Sequence, residues 1–170
     1  CPGTTQPSHH LTTAPRTDHS PGRDEGITMP NAAITGWGIS VPERVLTNHD
    51  LERMVETSDE WIVSRTGIRE RRIVSSDDST TSLATEAARN ALAKAGCTAD
   101  DIDLIVVATA TPDDFLVSQA CLVQAEIGGN AAAFDVGAAC AGFVTALSVG
   151  TQFVNGGVYN RALVIGVDTL

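Results

Sequence analysis

The sequence predicts an α/β fold: a layered unit with a largely parallel sheet and helices on its faces. Three observations predict it. Residues 103–168 alternate the short runs "DLIVVATAT", "AAAFDV" and "RALVIGVD" with stretches of helical length. The first and last of these runs are apolar almost without interruption at strand length, the pattern of a strand buried between layers. Strands that alternate with helices in this order imply crossover connections, and hence parallel pairing.

The elements follow in order. Residues 1–28, "CPGTTQPSHHLTTAPRTDHSPGRDEGIT", are rich in Pro, Gly, Ser, Thr and His. They hold too few large apolar side chains to offset the entropy of ordering, so they read as a disordered tail ahead of a true start at Met29. Residues 29–170 then form the folded unit. The tail has no long apolar run, which excludes a secretory signal or a membrane span there. Its few basic residues and its acids argue against a transit peptide, and His9–His10 alone would make only a weak metal pair. "AAITGWGISVP" (Ala32 to Pro42) reads as a first strand ended by Pro42. "TNHDLERMVE" opens a helix with Thr47 or Asn48 as N-cap. "TSDEWIVSRTG" gives another, with Ser58 capping, acids in the first turn and Gly67 as the stop. "IRERRIV" alternates enough for an exposed strand.

"STTSLATEAARNALAKAG" is the clearest helix, with Leu83, Ala87 and Leu92 building an apolar stripe and Lys94 and Gly96 closing it. Pro112 breaks the strand at 103–111. "SQACLVQAEIGG" is a helix closed by Gly128 and Gly129. "CAGFVTALSVGTQFVNGG" is a helix with Phe143, Leu147, Gly150 and Val154 along one side, and Arg161–Asp168 is the last buried strand. The chain stops directly after it, so the expectation is a truncated unit.

The net charge of −10 disfavours a nucleic-acid partner, because phosphates need a basic face. "RTGIRERR" is the local exception, with Arg65, Arg69, Arg71 and Arg72. It reads either as a solvated strand edge, which charge alone favours, or as a landing site for a phosphorylated ligand. The cysteines are Cys1, Cys97, Cys121 and Cys140. No Cys-x-x-Cys pair occurs, so no zinc or thioredoxin-like motif is suggested. Without an export signal, reduced thiols in a cytoplasm are expected.

Cys140 falls in "GAACAGF", between the strand "AAFDV" and the helix "AGFVTALSVGTQFV". A helix N-terminus presents unpaired N–H groups and a positive dipole end, which favour thiolate over thiol. Ala138, Ala139, Ala141 and Gly142 would let a substrate carbonyl approach, and nearby backbone N–H groups could hold a developing oxyanion. The alternative is a small buried cysteine amid tight strand–helix packing, and position alone does not decide between them. Cys121, inside a helix among apolar residues, reads as structurally buried. Cys97, after a helix-ending glycine, reads as a loop residue without a role.

"DVGAACAGF", together with "TSDEWIVSRTGIRERR" and "LIVVATATPD", resembles β-ketoacyl-acyl-carrier-protein synthase III, the initiating condensing enzyme of bacterial fatty-acid synthesis. The resemblance runs from about Ala33 to Leu170 and implies the N-terminal half of a thiolase-like layered fold. It also implies that Cys140 is the nucleophile that takes acetyl from acetyl-CoA. Malonyl-acyl-carrier protein then loses CO₂, and its carbanion attacks the thioester. Trp61 would stack on the adenine of CoA, with Arg65 on the other face or near the phosphates and Thr57 beside them. An indole and a guanidinium four residues apart on a helix could form such a clamp. Without the resemblance, Trp61 reads as a core anchor. Leu116 would line the acyl pocket.

The resemblance further implies a CoA thioester as substrate with no separate cofactor or metal, a homodimer at full length, and neither nucleic acid nor membrane as partner. The family's catalytic His and Asn have no counterpart here: His9, His10 and His19 lie in the tail and His49 opens a helix. "DDFLVSQAC" departs from the family, which usually has a proline after the aromatic residue. The isolated chain is expected to fold weakly and not to condense substrates. The alternatives are a secondary-metabolite ketoacyl synthase, a hydroxymethylglutaryl-CoA synthase-like enzyme, a noncatalytic structural fragment, and a thiol sensor at Cys140, for which no resolving cysteine is evident.

Overall fold

The structure, a computed structural model, describes residues 31–169. The expectations for the tail at 1–28 and for a start at Met29 lie outside these residues. Two units are built from the described chain. The first holds β1 (Arg44–Thr47), α1 (Asn48–Glu52), α2 (Asp59–Thr66) and β2 (Glu70–Ile73). The second holds α3 (Thr80–Ala95), β3 (Leu104–Ala108), α4 (Gln119–Ile127), β4 (Ala132–Val136), α5 (Gly142–Asn155) and β5 (Ala162–Gly166).

The second unit is the expected layered α/β arrangement. Its strands run in the order β4–β3–β5, and both pairings are parallel. β3 lies in the middle and is buried along its whole length. Its side chains alternate between two cores, as pleating requires. Ile105 and Val107 join Ala84, Ala88 and Leu92 of α3 and Ala120 and Val123 of α4. Leu104, Val106 and Ala108 pack with Ala146 of α5, flanked by Phe134, Phe153 and Val164. A strand apolar on both faces is thus explained by helices on both sides.

Helix boundaries follow the capping residues. Ser58 accepts from the Trp61 amide to start α2, and Gly67 ends it at φ 72°. Ser79 and Ser82 form a reciprocal capping box at the start of α3. Thr47 caps α1 and exchanges hydrogen bonds with Asp50, which settles the choice between Thr47 and Asn48.

Four expectations need correction. Residues 32–42 form no strand. Gly36 and Gly38 press onto α3 so closely that a Cβ at either would lie 2.6 Å from the Ala91 carbonyl oxygen or 2.3 Å from that of Ala87. The segment lies along the helix, tied by Asn90 Nδ2 donating to the Ile39 carbonyl and by Ser40 donating to Glu86. The deep stripe of α3 is Ala84, Ala88 and Leu92, with Leu83 and Ala87 only half-buried at its flank. α5 buries Gly142, Ala146 and Gly150, while Phe143 is exposed. The small residues face the sheet because the helix sits close: a Cβ at Gly150 would lie 2.9 Å from Val164 Cγ2. Finally, β5 alternates by face: Leu163 and Ile165 are buried in the α3–α4 core, while Ala162 and Val164, on the α5 side, stay partly exposed.

Candidate active site

The sheet carries the site at its C-terminal end, where parallel strands of an open α/β sheet place their ligands. β4 ends at Val136. A tight 3₁₀ turn, Ala139–Ala141, then leads straight into α5 at Gly142. Cys140 sits in this turn and is exposed, between strand and helix as the sequence reading required. Ala139, just before it, holds φ at +42°, a left-handed conformation that a residue with a Cβ seldom adopts. The turn therefore lifts the sulfur out of the strand–helix junction at some cost in backbone strain.

A shallow cavity of ≈ 210 Å³ opens at this sulfur, lined by Cys140 and residues from the ends of β3, β5 and α5. The small neighbours serve packing as well as access. A Cβ at Gly142 would stand 3.1 Å from Ala108 Cβ, and one at Gly166 would stand 3.0 Å from Phe143, so these glycines set how closely the layers approach. Gly137, by contrast, faces open space. α5 starts without a side-chain cap, whereas Thr47, Ser58 and Ser79 cap α1, α2 and α3. The first-turn amides of α5 therefore have no side-chain acceptor competing with an anion at Cys140.

Sequence reasoning missed the polar frame behind the site. Asp135 of β4 accepts from the amides of Gln119 and Ala120, at 2.7 and 2.8 Å, and so caps α4 where Ser118 does not. Asp113 caps α3 from outside, accepting from the Thr80 and Thr81 amides and the Thr81 hydroxyl. Burial pushes the Asp113 carboxyl up, but the hydrogen bonds from Thr81 and Thr80 outweigh it and hold the group below its usual range. Gln119, fully buried, joins the two acids: its Oε1 accepts from the Asp113 amide and its Nε2 donates to Thr81. The only signal in the sequence was a polar residue one step inside an apolar helix, and the partners lie too far along the chain to be inferred.

The remaining candidates lie elsewhere. Trp61, Arg65 and Thr57 belong to or flank α2 in the first unit, and none lines the Cys140 cavity. Trp61 is 54% exposed and so is not a core anchor. Arg65 lies directly over its ring, 4.7 Å from the centroid, so the pair is self-stacked and leaves no slot between indole and guanidinium. Leu116 is 97% exposed on the loop before α4, held there by Asp114, whose carboxylate accepts from the Leu116 and Val117 amides. In the basic stretch, Arg71 donates to buried Asn48 and Arg72 to the Pro42 carbonyl, so two of its four arginines serve structure. Cys121 corrects an expectation. It is exposed, because α4 buries Gln119, Ala120 and Val123 and turns Cys121 away. Cys97 packs partly against the core rather than standing free in a loop.

Comparison with known proteins agrees with the fold. The profile of the 3-oxoacyl-(acyl-carrier-protein) synthase III family matches residues 134–170, the segment from β4 through Cys140 to β5. The chain is 53% identical over 140 residues to the β-ketoacyl-(acyl-carrier-protein) synthase III of Caldanaerobacter subterraneus, covering 82% of this chain and 42% of that one. It is 56% identical over 138 residues to the enzyme of the same name from Roseiflexus castenholzii, covering 81% and 42%. The crystal structure of 3-oxoacyl-(acyl-carrier-protein) synthase III from Aquifex aeolicus superposes with a TM-score of 0.78 at 47% identity, over 81% of this chain and 44% of that one. A priming β-ketosynthase of a polyketide pathway superposes with a TM-score of 0.71 at 36% identity, over 74% and 38%.

Fold and site together define a layered α/β unit of the thiolase-like class. Within that class the chain is similar to β-ketoacyl-acyl-carrier-protein synthases III over the part of their length that it aligns with. It spans less than half the length of the relatives it matches.

Proposed function

We propose that this chain supplies the acyl-accepting half-site of a condensing acyltransferase and that Cys140 is its nucleophile. One observation carries the reading: the sulfur is exposed in a strained turn at the C-terminal end of the sheet, at the mouth of a cavity, with an uncapped helix starting behind it. The thiolate sulfur would bond to the carbonyl carbon of an acyl-CoA, and the negative charge would pass to the carbonyl oxygen. Its donors would be backbone amides of the Cys140 turn and first turn of α5 other than those of Ala141 and Gly142, which already donate to the Ala138 and Ala139 carbonyls. The tetrahedral adduct would then expel the CoA thiolate, which takes up a proton, and leave an acyl thioester on Cys140. Decarboxylation of malonyl-acyl-carrier protein would supply the carbanion that attacks this thioester.

In this reading Trp61 offers one indole face to the CoA base while Arg65 backs the other, and Thr57 stands at the same end of α2. A base entering between the two would require the guanidinium to swing aside. The exposed loop at Leu116 is the candidate wall for the acyl chain.

The test is to incubate the full-length protein with labelled acetyl-CoA and map the thioester by peptide mass. Label is expected on Cys140 and absent from C140A; label on Cys121 instead would reject the assignment. W61A is expected to raise the KM for acyl-CoA about tenfold or more with a smaller effect on kcat, as loss of a binding contact should. A second reading, a starter-unit synthase of secondary metabolism, is favoured by the likeness to the polyketide priming enzyme. Acyl-chain preference in the same assay separates the two.

A further inference from the structure

The Cys140 cavity contains a second functional group that the acyl-transfer scheme does not use. Asp168, just past the end of β5, is exposed and lines the cavity. Among the described residues it is the only ionisable group there besides the thiol; alanine, glycine, Val167 and Phe143 make up the rest. One of its oxygens is committed. Asp168 Oδ1 accepts from the Ala110 amide at 2.7 Å, and the hydroxyls of Thr109 and Thr111 lie at 3.3 and 3.4 Å. These bonds fix the carboxylate at the lip. Its Oδ2 takes no hydrogen bond, and no cation pairs with the carboxylate, among the described residues.

We propose that Asp168 is a specificity-determining residue of the Cys140 site, a fixed negative charge that disfavours acyl groups carrying a free carboxylate. The proposal rests on the reading of Cys140 as the acyl acceptor. Asp168 and Cys140 line one shallow cavity of ≈ 210 Å³, smaller in scale than the Debye length of roughly 10 Å at 0.1 M salt. A second carboxylate brought into that space would be repelled by Asp168, with the repulsion moderated by water and salt at this open site. At an effective dielectric between water and a protein surface, the repulsion amounts to about three- to tenfold in rate. Neutral groups such as acetyl feel none of it.

The experiment compares alkylation of Cys140 by iodoacetate, which is anionic, and iodoacetamide, which is neutral. In each case the thiolate sulfur displaces iodide, so the ratio of the two rates cancels any change in thiolate fraction. Exposed Cys121 is the internal reference. D168N keeps an Oδ1 acceptor for the Ala110 amide and removes the charge. It is expected to raise the iodoacetate to iodoacetamide ratio at Cys140 about three- to tenfold and to leave Cys121 unchanged. In the unaltered protein, high salt should raise the same ratio at Cys140 more than at Cys121. The succinyl-CoA to acetyl-CoA acylation ratio should rise likewise in D168N. An unchanged Cys140 ratio in D168N, or an equal rise at Cys121, overturns the proposal. If the alkylation ratio responds but no acyl-CoA labels Cys140, the charge filter stands and the acyl-transfer reading fails. If acetyl labels Cys140 and neither ratio moves, the reverse holds.

Discussion

The two units of this chain are held together by different physics. The sheet unit buries a five-residue strand on both faces, with Leu104, Ile105, Val106 and Val107 at 1% exposure or less. The β1–β2 unit has Ile62 as its buried hydrophobe and leaves Val45, Met54, Val55, Trp61 and Ile68 exposed. Its centre is a side-chain amide. Asn48, 1% exposed, donates to Asp59 and to the Ile68 carbonyl and accepts from Arg71, so one residue joins α1, α2 and β2. Hydrophobic burial is non-directional and sums over many contacts, whereas a polar hub concentrates its contribution in one residue and fails all at once. The cysteine turn sits on the first kind of support and the Trp61–Arg65 pair on the second.

Substitutions should separate these supports. The largest expected effect is in the sheet: I105A removes a side chain packed between β3 and the two helices and should cost about 2–5 kcal/mol, read from the urea midpoint. N48A should cost about 1–3 kcal/mol, because Asp59 and Arg71 each lose a partner in a half-buried place. The comparison is sharpened by where that loss appears: hydrogen exchange should accelerate across residues 44–73 and hold steady in β3 and α5. Acceleration throughout would mean that the two units share one cooperative core.

Acid should act on both units through their caps. Asp50 is held below the usual carboxylate range by its hydrogen bonds with Thr47, side chain then backbone, and Asp113 by the hydrogen bonds that outweigh its burial. A carboxylate with a lowered folded-state pKa contributes stability above its unfolded value of about 3.9, and that stability is lost as pH falls through the lower folded value. Stability is therefore expected to be level above about pH 5 on account of these groups and to fall below about pH 4. D113N should flatten that fall in the sheet unit and D50N in the other, measured as unfolding midpoints against pH. The smallest effect expected is at the strained turn. A139G relieves the positive φ but adds unfolded-state entropy, so it should stabilise by no more than about 1 kcal/mol, whereas the β-branched A139V should destabilise by more than that.

Much of the sheet unit was legible because its signals are local. The run at 103–111 named a strand covered on both sides, Lys94 and Gly96 closed α3, and the small residues around Cys140 pointed to a turn where helix and strand meet closely. The stripes were misread at Phe143 and Ala87, since periodicity finds a helix but not which of two neighbouring faces meets the sheet. Residues 32–42 were misread because apolar composition resembles a strand equally well when the segment lies along a helix. Cys121 was assigned to the interior on the apolar character of its neighbours, and only the orientation of α4 turns it outward.

What the chain settles on its own is therefore its periodicities, its caps and stops, and a reactive residue type at a strand-to-helix junction, because each depends on side chains a few positions apart. Tertiary structure alone decided that Asp113 and Asp135 would cap helices far from them in sequence, that Gln119 would join them, and that Asp168 would line the same cavity as the cysteine. Hydrogen bonds and charges act across a few ångströms of space, and the contour of the chain carries no record of which distant groups the fold will bring within that reach.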